Sequence, residues 1–303
     1  MPYRELTFRS QGVTCSAWHF RGRGDGSQVC PVVIMAHGFG GTKDSGLQPF
    51  AEKFSAAGFD VLAFDYRGFG TSEGEPRQSI SIARQEQDYQ AAVAFAKTLP
   101  GVDPDRIVLW GVSMSGGHVL RVAAGRDDIV ALIAMTPLTD SLATGAAVLK
   151  QYKLGLALRT TVDGVRSRWA VSRGRKPVLM KLASRPGEHG ALSLDGAYEN
   201  YLSIAGPSWR NEVDSAVGLE LAKIKTKAAA KNLRAALLIQ IADFDRFVPA
   251  WSIAKTAVHG RAQVHHYPCD HFDVWPGHDW FGQASNDQIA FLERVLEPTR
   301  LPV

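Results

Sequence analysis

Two serines sit among small residues in Gly111-Val112-Ser113-Met114-Ser115-Gly116-Gly117. The stretch follows the apolar run Arg106–Trp110 and leads directly into the helix-compatible His118–Ala124. Strand, abrupt turn and helix in that order form a nucleophile elbow, which lifts a serine hydroxyl onto a tip above a sheet. The first N–H groups of the helix then point to where an oxyanion would develop. Small neighbours are needed because bulk would strike the adjoining strand or helix. The chemistry is attack on an acyl carbonyl. Two registers fit. Ser113 has Gly111 before it but Ser115 where the pattern G-x-S-x-G has its second glycine. Ser115 as nucleophile would use Ser113 and Gly117 as flanks. Strand length favours Ser113, because Ile107–Trp110 is the strand and Gly111 closes it. The competing reading is a polar loop without chemistry.

Such a serine needs a base, an acid that orients the base, and oxyanion donors. The partners are expected on loops after later strands, in the order serine, acid, histidine. Asp245 follows the strand Ala236–Ile241 and precedes Pro249, which starts a helix. Asp243 and Asp140 are the alternatives, and any such aspartate can instead cap a helix or brace a loop. Among nine histidines, His271 lies directly after the last strand. His118 falls inside the helix after the elbow, His265 and His266 in a strand with one facing in, and His278 beyond a Pro-Gly turn. The backbone N–H groups of Met114 and Phe39 are the expected oxyanion donors, Phe39 from His37-Gly38-Phe39-Gly40-Gly41. The His37 side chain is expected to tie down its own loop. Asp65-Tyr66-Arg67-Gly68-Phe69-Gly70-Thr71-Ser72 lacks the Gly-Lys-Ser/Thr ending of a phosphate loop. Asp65 and Arg67 are expected to brace neighbouring loops.

The elements that must position these groups alternate between strand and helix. Tyr3–Ser10 and Val13–Arg21 predict an antiparallel pair turning at Gln11-Gly12, before a loop over 21–27. Strands are predicted at Pro31–His37, Phe59–Asp65, Ile107–Trp110, Ile129–Met135, Ala236–Ile241 and Ala262–Tyr267. Helices are predicted at Leu47–Ala57, Ile80–Thr98, Gly116–Gly125 and Ala284–Leu296. This is an α/β fold, a mostly parallel twisted sheet flanked by helices. The alternation breaks between Met135 and Ala236, where helical stretches (Leu142–Ala157, Val213–Leu233) flank a basic middle (Ser172–Gly190). A loop that long is expected to be functional. The chain is therefore divided into a core over 1–138, an inserted, mainly helical cap over 139–235, and the rest of the core over 236–303. The insertion holds 16 Lys and Arg against 8 Asp and Glu, a net of +8, while the remainder holds 18 against 22, a net of −4.

With 303 residues, 45% hydrophobic and 21% charged, the chain can bury a full core. No apolar run is long enough to span a bilayer, and Met1–Phe8 reads as the start of a strand and not as a secretion signal. Cys15, Cys30 and Cys269 lack metal-ligand spacing and read as buried, reduced thiols of a cytoplasmic protein. No cofactor or metal is expected. The basic residues are not interleaved with stacking aromatics, so no nucleic-acid partner is expected, and no membrane partner either.

Together the His37–Gly41, Asp65–Gly70 and Gly111–Gly116 motifs and the Asp245/His271 pair resemble the α/β-hydrolase superfamily. The finer likeness is to dienelactone-hydrolase-like and X-prolyl-peptidase-like serine hydrolases. It is also similar to the polyketide transferase branch, where serine in place of the elbow's second glycine and a helical insertion are familiar. Dienelactone hydrolases proper use cysteine, and Ser113 departs from that. The resemblance implies Ser113 as nucleophile, His271 as base and Asp245 as orienting acid. The expected activity is cleavage of a carboxylic ester or thioester through an acyl-enzyme. The alternative is acyl transfer to an alcohol or amine from a coenzyme A or acyl carrier protein thioester, which a basic cap would suit. A catalytically inactive binding protein is the third reading. Trp169, Trp209 and Trp251 are candidate pocket residues, with packing as their ordinary role. Oligomeric state is left open, with a homodimer as the assembly considered.

Overall fold

The structure, a computed structural model, describes residues 2–22, 29–149 and 154–296. Most of the loop expected over 21–27 and part of the helix expected over Leu142–Ala157 lie outside the described residues. The chain opens with β1 (Arg4–Ser10) and β2 (Val13–Phe20), an antiparallel hairpin. Gln11 and Gly12 take positive φ, 48° and 81°, which matches the twist of a two-residue hairpin turn. Then β3 (Cys30–Ala36), α1 (Gln48–Ala56), β4 (Asp60–Phe64), α2 (Ile82–Ala96), β5 (Val102–Val112), α3 (Met114–Ala123) and β6 (Ile129–Met135) alternate. A second run follows: α4 (Ser141–Leu149), α5 (Leu154–Ser172), β7 (Leu179–Ala183), β8 (Gly190–Leu192), α6 (Ala197–Ile204), β9 (Val213–Asp214), α7 (Val217–Leu221) and α8 (Lys227–Lys231). The chain returns through β10 (Ala236–Ala242), α9 (Ala250–Gly260), β11 (Gln263–Tyr267) and α10 (Phe281–Leu296).

Eight strands form one sheet in the order β1-β2-β4-β3-β5-β6-β10-β11. The first two pairings are antiparallel, and every pairing from β4 to β11 is parallel. Apolar runs such as Val32–Ala36 and Ile107–Trp110 are wholly buried, because parallel strands with helices on both faces meet no water. Each such Val, Leu or Ile stabilises the fold by about 1.5–3 kcal/mol relative to exposure. Ala36, Gly111 and Ala134 stand side by side in register. Small residues at the carboxyl end of the central strands leave room there for loops, where open α/β sheets bind ligands. No described helix is long and apolar enough to cross a membrane.

The insertion differs from its reading in several places: α5 runs on past Ala157 to Ser172, and α6 stands where no helix was expected. The helix expected over Val213–Leu233 is broken into β9, α7 and α8. Tertiary bonds interrupt it: the Asp214 carboxylate accepts from Ser167 Oγ at 2.5 Å, Ser79 Oγ at 2.8 Å and Ala216 N at 2.9 Å. Further along, Lys225 forms a bridge with Asp140 and the Thr226 hydroxyl donates to Thr139 O. The basic middle supplies β7, which lies between β8 and β9 in a small three-stranded sheet. Local helix propensity yields here to these long-range partners.

Candidate active site

Ser113 stands where β5 ends and α3 begins, with φ 54° and ψ −118°. That conformation is unfavourable for a residue with a side chain, costing about 1–3 kcal/mol, and persists only where the surroundings enforce it. The enforcement is visible. Ser113 N donates to Met135 O at 2.9 Å, and Ser113 O accepts from Leu138 N at 2.7 Å. A Cβ on Gly111 would lie 2.3 Å from Ser115 O, one on Gly116 2.7 Å from Pro137 Cβ, and one on Gly117 2.4 Å from Leu138 O. The second register is not built as a site. Ser115 is fully buried. Its Oγ accepts from Val112 N at 2.8 Å and lies 2.8 Å from Ala36 O and 2.9 Å from Val112 O. It pins the elbow to β3 in place of the usual glycine.

The loops after β10 and β11 bring Asp245 and His271 together, with Nδ1 of His271 2.6 Å from Asp245 Oδ2. The other carboxylate oxygen accepts from Phe247 N and Val248 N, both at 2.7 Å. Both side chains are buried. Burial pushes the imidazole down, but the charge of Asp245, its hydrogen bond and the charge of Asp270 together raise it above the ordinary histidine value. Asp243 and Asp140 are placed elsewhere. Asp243 pairs with His266 at 2.6 Å, and Asp140 accepts from Leu142 N and Ala143 N at the start of α4. Of the strand histidines, His265 is half-buried beside Asp287 and His266 is exposed. A latch between the two loops was not legible in the sequence. Arg246 Nε donates to Asp270 Oδ2 at 2.6 Å, and Asp270 Oδ1 accepts from Arg246 N at 3.0 Å and His271 N at 2.8 Å. Each partner neighbours a candidate residue in sequence, yet only the adjacency of β10 and β11 pairs them.

Met114 N opens α3, and Phe39 lies on the loop after β3. Among the described residues neither amide has a protein acceptor, so both are available to a developing oxyanion. The Phe39 loop is held from three sides. His37 Nδ1 lies 3.0 Å from Gly38 O, and burial lowers the pKa of this ring. Asp65 accepts from Lys43 N at 2.6 Å, Lys43 Nζ at 2.7 Å and Thr71 N at 3.0 Å. Tyr201 of α6 donates its hydroxyl to Phe39 O at 2.9 Å. Arg67 instead binds α2, through Asp88 and Arg84 O. Gly40 takes φ 58°, and a Cβ there would overlap Leu182 of β7, so the insertion presses directly on this loop.

Ser113 and His271 open into one cavity of about 300 Å³. Core residues Phe39, Met114, Leu138, Phe247 and Phe272 line one side, and Thr160, Met180, Leu192, Tyr201 and Leu221 of the insertion line the other. Among the described residues no Asp, Glu, Lys or Arg lines it. The three tryptophans proposed for it do not line it either. Trp169 and Trp251 are exposed, while Trp209 stacks on Tyr201. An adjoining recess of about 20 Å³ lies between Ser113, His271, Gly38 and Trp275, room for one water-sized group. Among the described residues no group of three His, Cys, Asp or Glu could hold a metal ion. No cysteine forms a disulfide, and burial pushes the thiols of Cys15 and Cys269 up to about 12. Cys30 is only half-buried, where packing was expected to bury it.

Residues 27–268 match the family described as serine aminopeptidase, S33 (Hydrolase_4). The chain is 35% identical to the quorum-quenching protein AidA of Acinetobacter baumannii over 298 residues, 96% of this chain and 95% of that one. It is 34% identical to the thiohydrolase aneE of Aspergillus aculeatus over 157 residues, 52% and 49% of the two chains. Polyketide transferase grgF of Penicillium sp. is 36% identical over 159 residues, 52% of each. A crystal structure of the α/β-hydrolase GrgF from Penicillium sp. superposes with a TM-score of 0.78 at 24% identity, covering 98% of this chain and 99% of that one.

Proposed function

This chain belongs to the serine aminopeptidase S33 family of α/β-hydrolases, and from that membership we propose that it cleaves a carboxylic ester or thioester with an apolar acyl group. One observation carries the reading. Ser113, on a strained backbone, and His271, held 2.6 Å from the buried Asp245 carboxylate, line the same mostly apolar cavity. In this reading Ser113 Oγ attacks the carbonyl as His271 Nε2 takes its proton. The N–H groups of Phe39 and Met114 hold the oxyanion, and Asp245 steadies the imidazolium. Collapse expels the alcohol or thiol, which takes the proton from His271. Water then attacks the acyl-enzyme, again losing a proton to His271, and the acid leaves with Ser113 restored. The recess beside Ser113 and His271 supports water as the second nucleophile. Residues 139–235 act as the cap, a role supported by their share of the cavity wall. The three cysteines outside disulfides support a cytoplasmic location. A peptidase acting on a free amino terminus finds no support, since no described lining residue is acidic.

The test is Ser113→Ala. It should abolish labelling by a fluorophosphonate and reduce p-nitrophenyl ester hydrolysis to near background. Full activity in that variant would remove the reading, and wild-type protein inert to both probes would favour a binding protein. Acyl transfer is the second reading, supported by the mostly apolar cavity wall, which disfavours bulk water, and by the likeness to grgF. Products formed in the presence of an alcohol acceptor separate the two. Predominant transesterification at low acceptor concentration selects transfer. The cavity wall gives no support to an anionic donor in particular, because the insertion's cations are not among its described lining residues.

A further inference from the structure

Among its described side chains, helix α5 turns an apolar stripe outward. Its inner face includes Gly164, which packs on Ser215 O, and Ser167, which donates to Asp214. Its outer face carries Leu158, Val162, Val165 and Trp169, exposed by 63, 45, 60 and 50%. The spacing of 4, 3 and 4 residues places all four on one stripe, about 16 Å long. The expected arrangement of a surface helix is the reverse, so folding of this chain alone does not account for the stripe.

The surroundings of the stripe identify what would cover it. Arg159 and Arg166 lie on one flank seven residues apart, Arg168 lies on the other, and Arg173, Arg175 and Lys176 follow the helix. Arg173 lies 3.9 Å over the Trp169 ring and Arg175 at 5.7 Å. The helix's one acid among its described side chains, Asp163, is largely buried and already faces Arg159, Arg166 and His189. A second copy laid across this face would set arginine rows against each other. A protein partner needs about 20–30 residues a side for a stable interface, and one convex row of four does not supply them. An apolar stripe bordered by arginines and ended by a tryptophan suits a surface that is apolar beneath and anionic above.

We infer that the outer face of α5 seats the protein on an anionic lipid surface, with Leu158, Val162, Val165 and Trp169 at the headgroup boundary and the flanking arginines on lipid phosphates. This departs from the sequence expectation of no membrane partner, and it does not depend on the catalytic reading. The arrangement also has a consequence for access. Thr160 and Thr161 of the same helix line the cavity that holds Ser113, so the lipid-facing helix is a wall of the acyl site.

Flotation of the full chain with vesicles of phosphatidylglycerol and phosphatidylcholine, against phosphatidylcholine alone, tests this. Binding should be at least about tenfold stronger on the anionic vesicles and weaken with salt. The double variants V162D/V165D and R168E/K176E should each lower it by about tenfold or more, with circular dichroism and thermal midpoint unchanged, because these side chains are exposed. Brominated lipid should quench wild-type emission more than that of W169F. Equal recovery with and without vesicles, or variants that bind like wild type, would overturn the inference. So would a solution dimer that V162D/V165D dissociates, because the stripe would then belong to a second copy.

Discussion

The two oxygens of Asp245 have separate partners, the backbone amides of Phe247 and Val248 for one and His271 for the other. The amides fix the carboxylate, and the carboxylate fixes the imidazole. Asp245→Asn should therefore keep the fold but lower kcat by roughly 10³–10⁴. The pH profile gives a second readout. A base must be neutral to accept a proton, and His271 is raised above its ordinary value of 6.5. Activity should climb with pH along a limb centred above that value, and in Asp245→Asn the limb should move to lower pH. A limb unmoved by the substitution would deny Asp245 its place. The same shift links to stability: protonation of His271 favours the folded state fully below its unfolded pKa, and this contribution fades as pH rises through the folded value. Ser115 gives the complementary test. Ser115→Ala leaves Val112 N–H without its side-chain acceptor, which should destabilise the protein by about 1–3 kcal/mol in urea melts. Fluorophosphonate labelling should survive, and its loss would reopen the second register.

Between elements, the decisive contact joins two loops. Arg246 and Asp270 connect the turn after β10 to the turn after β11, and each is one residue from a member of the candidate pair. The ion pair is part exposed on the arginine side, so its contribution to stability is about 1 kcal/mol or less. Its effect should fall on geometry. Arg246→Ala should lower kcat by about tenfold with KM and thermal midpoint nearly unchanged, as initial rates and a melting scan would show. A large drop in melting temperature with kcat preserved would make the latch purely structural. Element boundaries near the site were largely readable. The buried runs of β3, β4, β5, β6 and β10 and the turn at Gln11-Gly12 stand where periodicity put them. The broken Val213–Leu233 segment did not, because the side chains that interrupt it, Asp214 and Thr226, bond to residues far away in sequence.

On the scale of the molecule, the cavity lies between core residues such as Phe39, Met114 and Phe272 and the later Thr160, Met180, Leu192 and Leu221, with Leu182 and Tyr201 reaching the Phe39 loop. Its wall is apolar and uncharged among the described residues. Each methylene of a substrate buried there should gain about 0.8 kcal/mol, close to fourfold in kcat/KM. A series of p-nitrophenyl esters should show this rise from acetate upward until about 300 Å³ is filled, then a fall. A flat or descending series would place the acyl group elsewhere.

The order of small and apolar residues along the chain determined the sheet, the elbow and the identity of Ser113, Asp245 and His271 as candidates, because strand burial and tight turns are local demands on residue type. What the tertiary structure alone decided is which groups meet. Asp243 turned to His266, Asp140 capped α4, Ser115 became a buried anchor, and Arg246 found Asp270. It also turned an apolar stripe of α5 outward, since helical spacing fixes which residues share a face but not whether that face looks to the core or away from it.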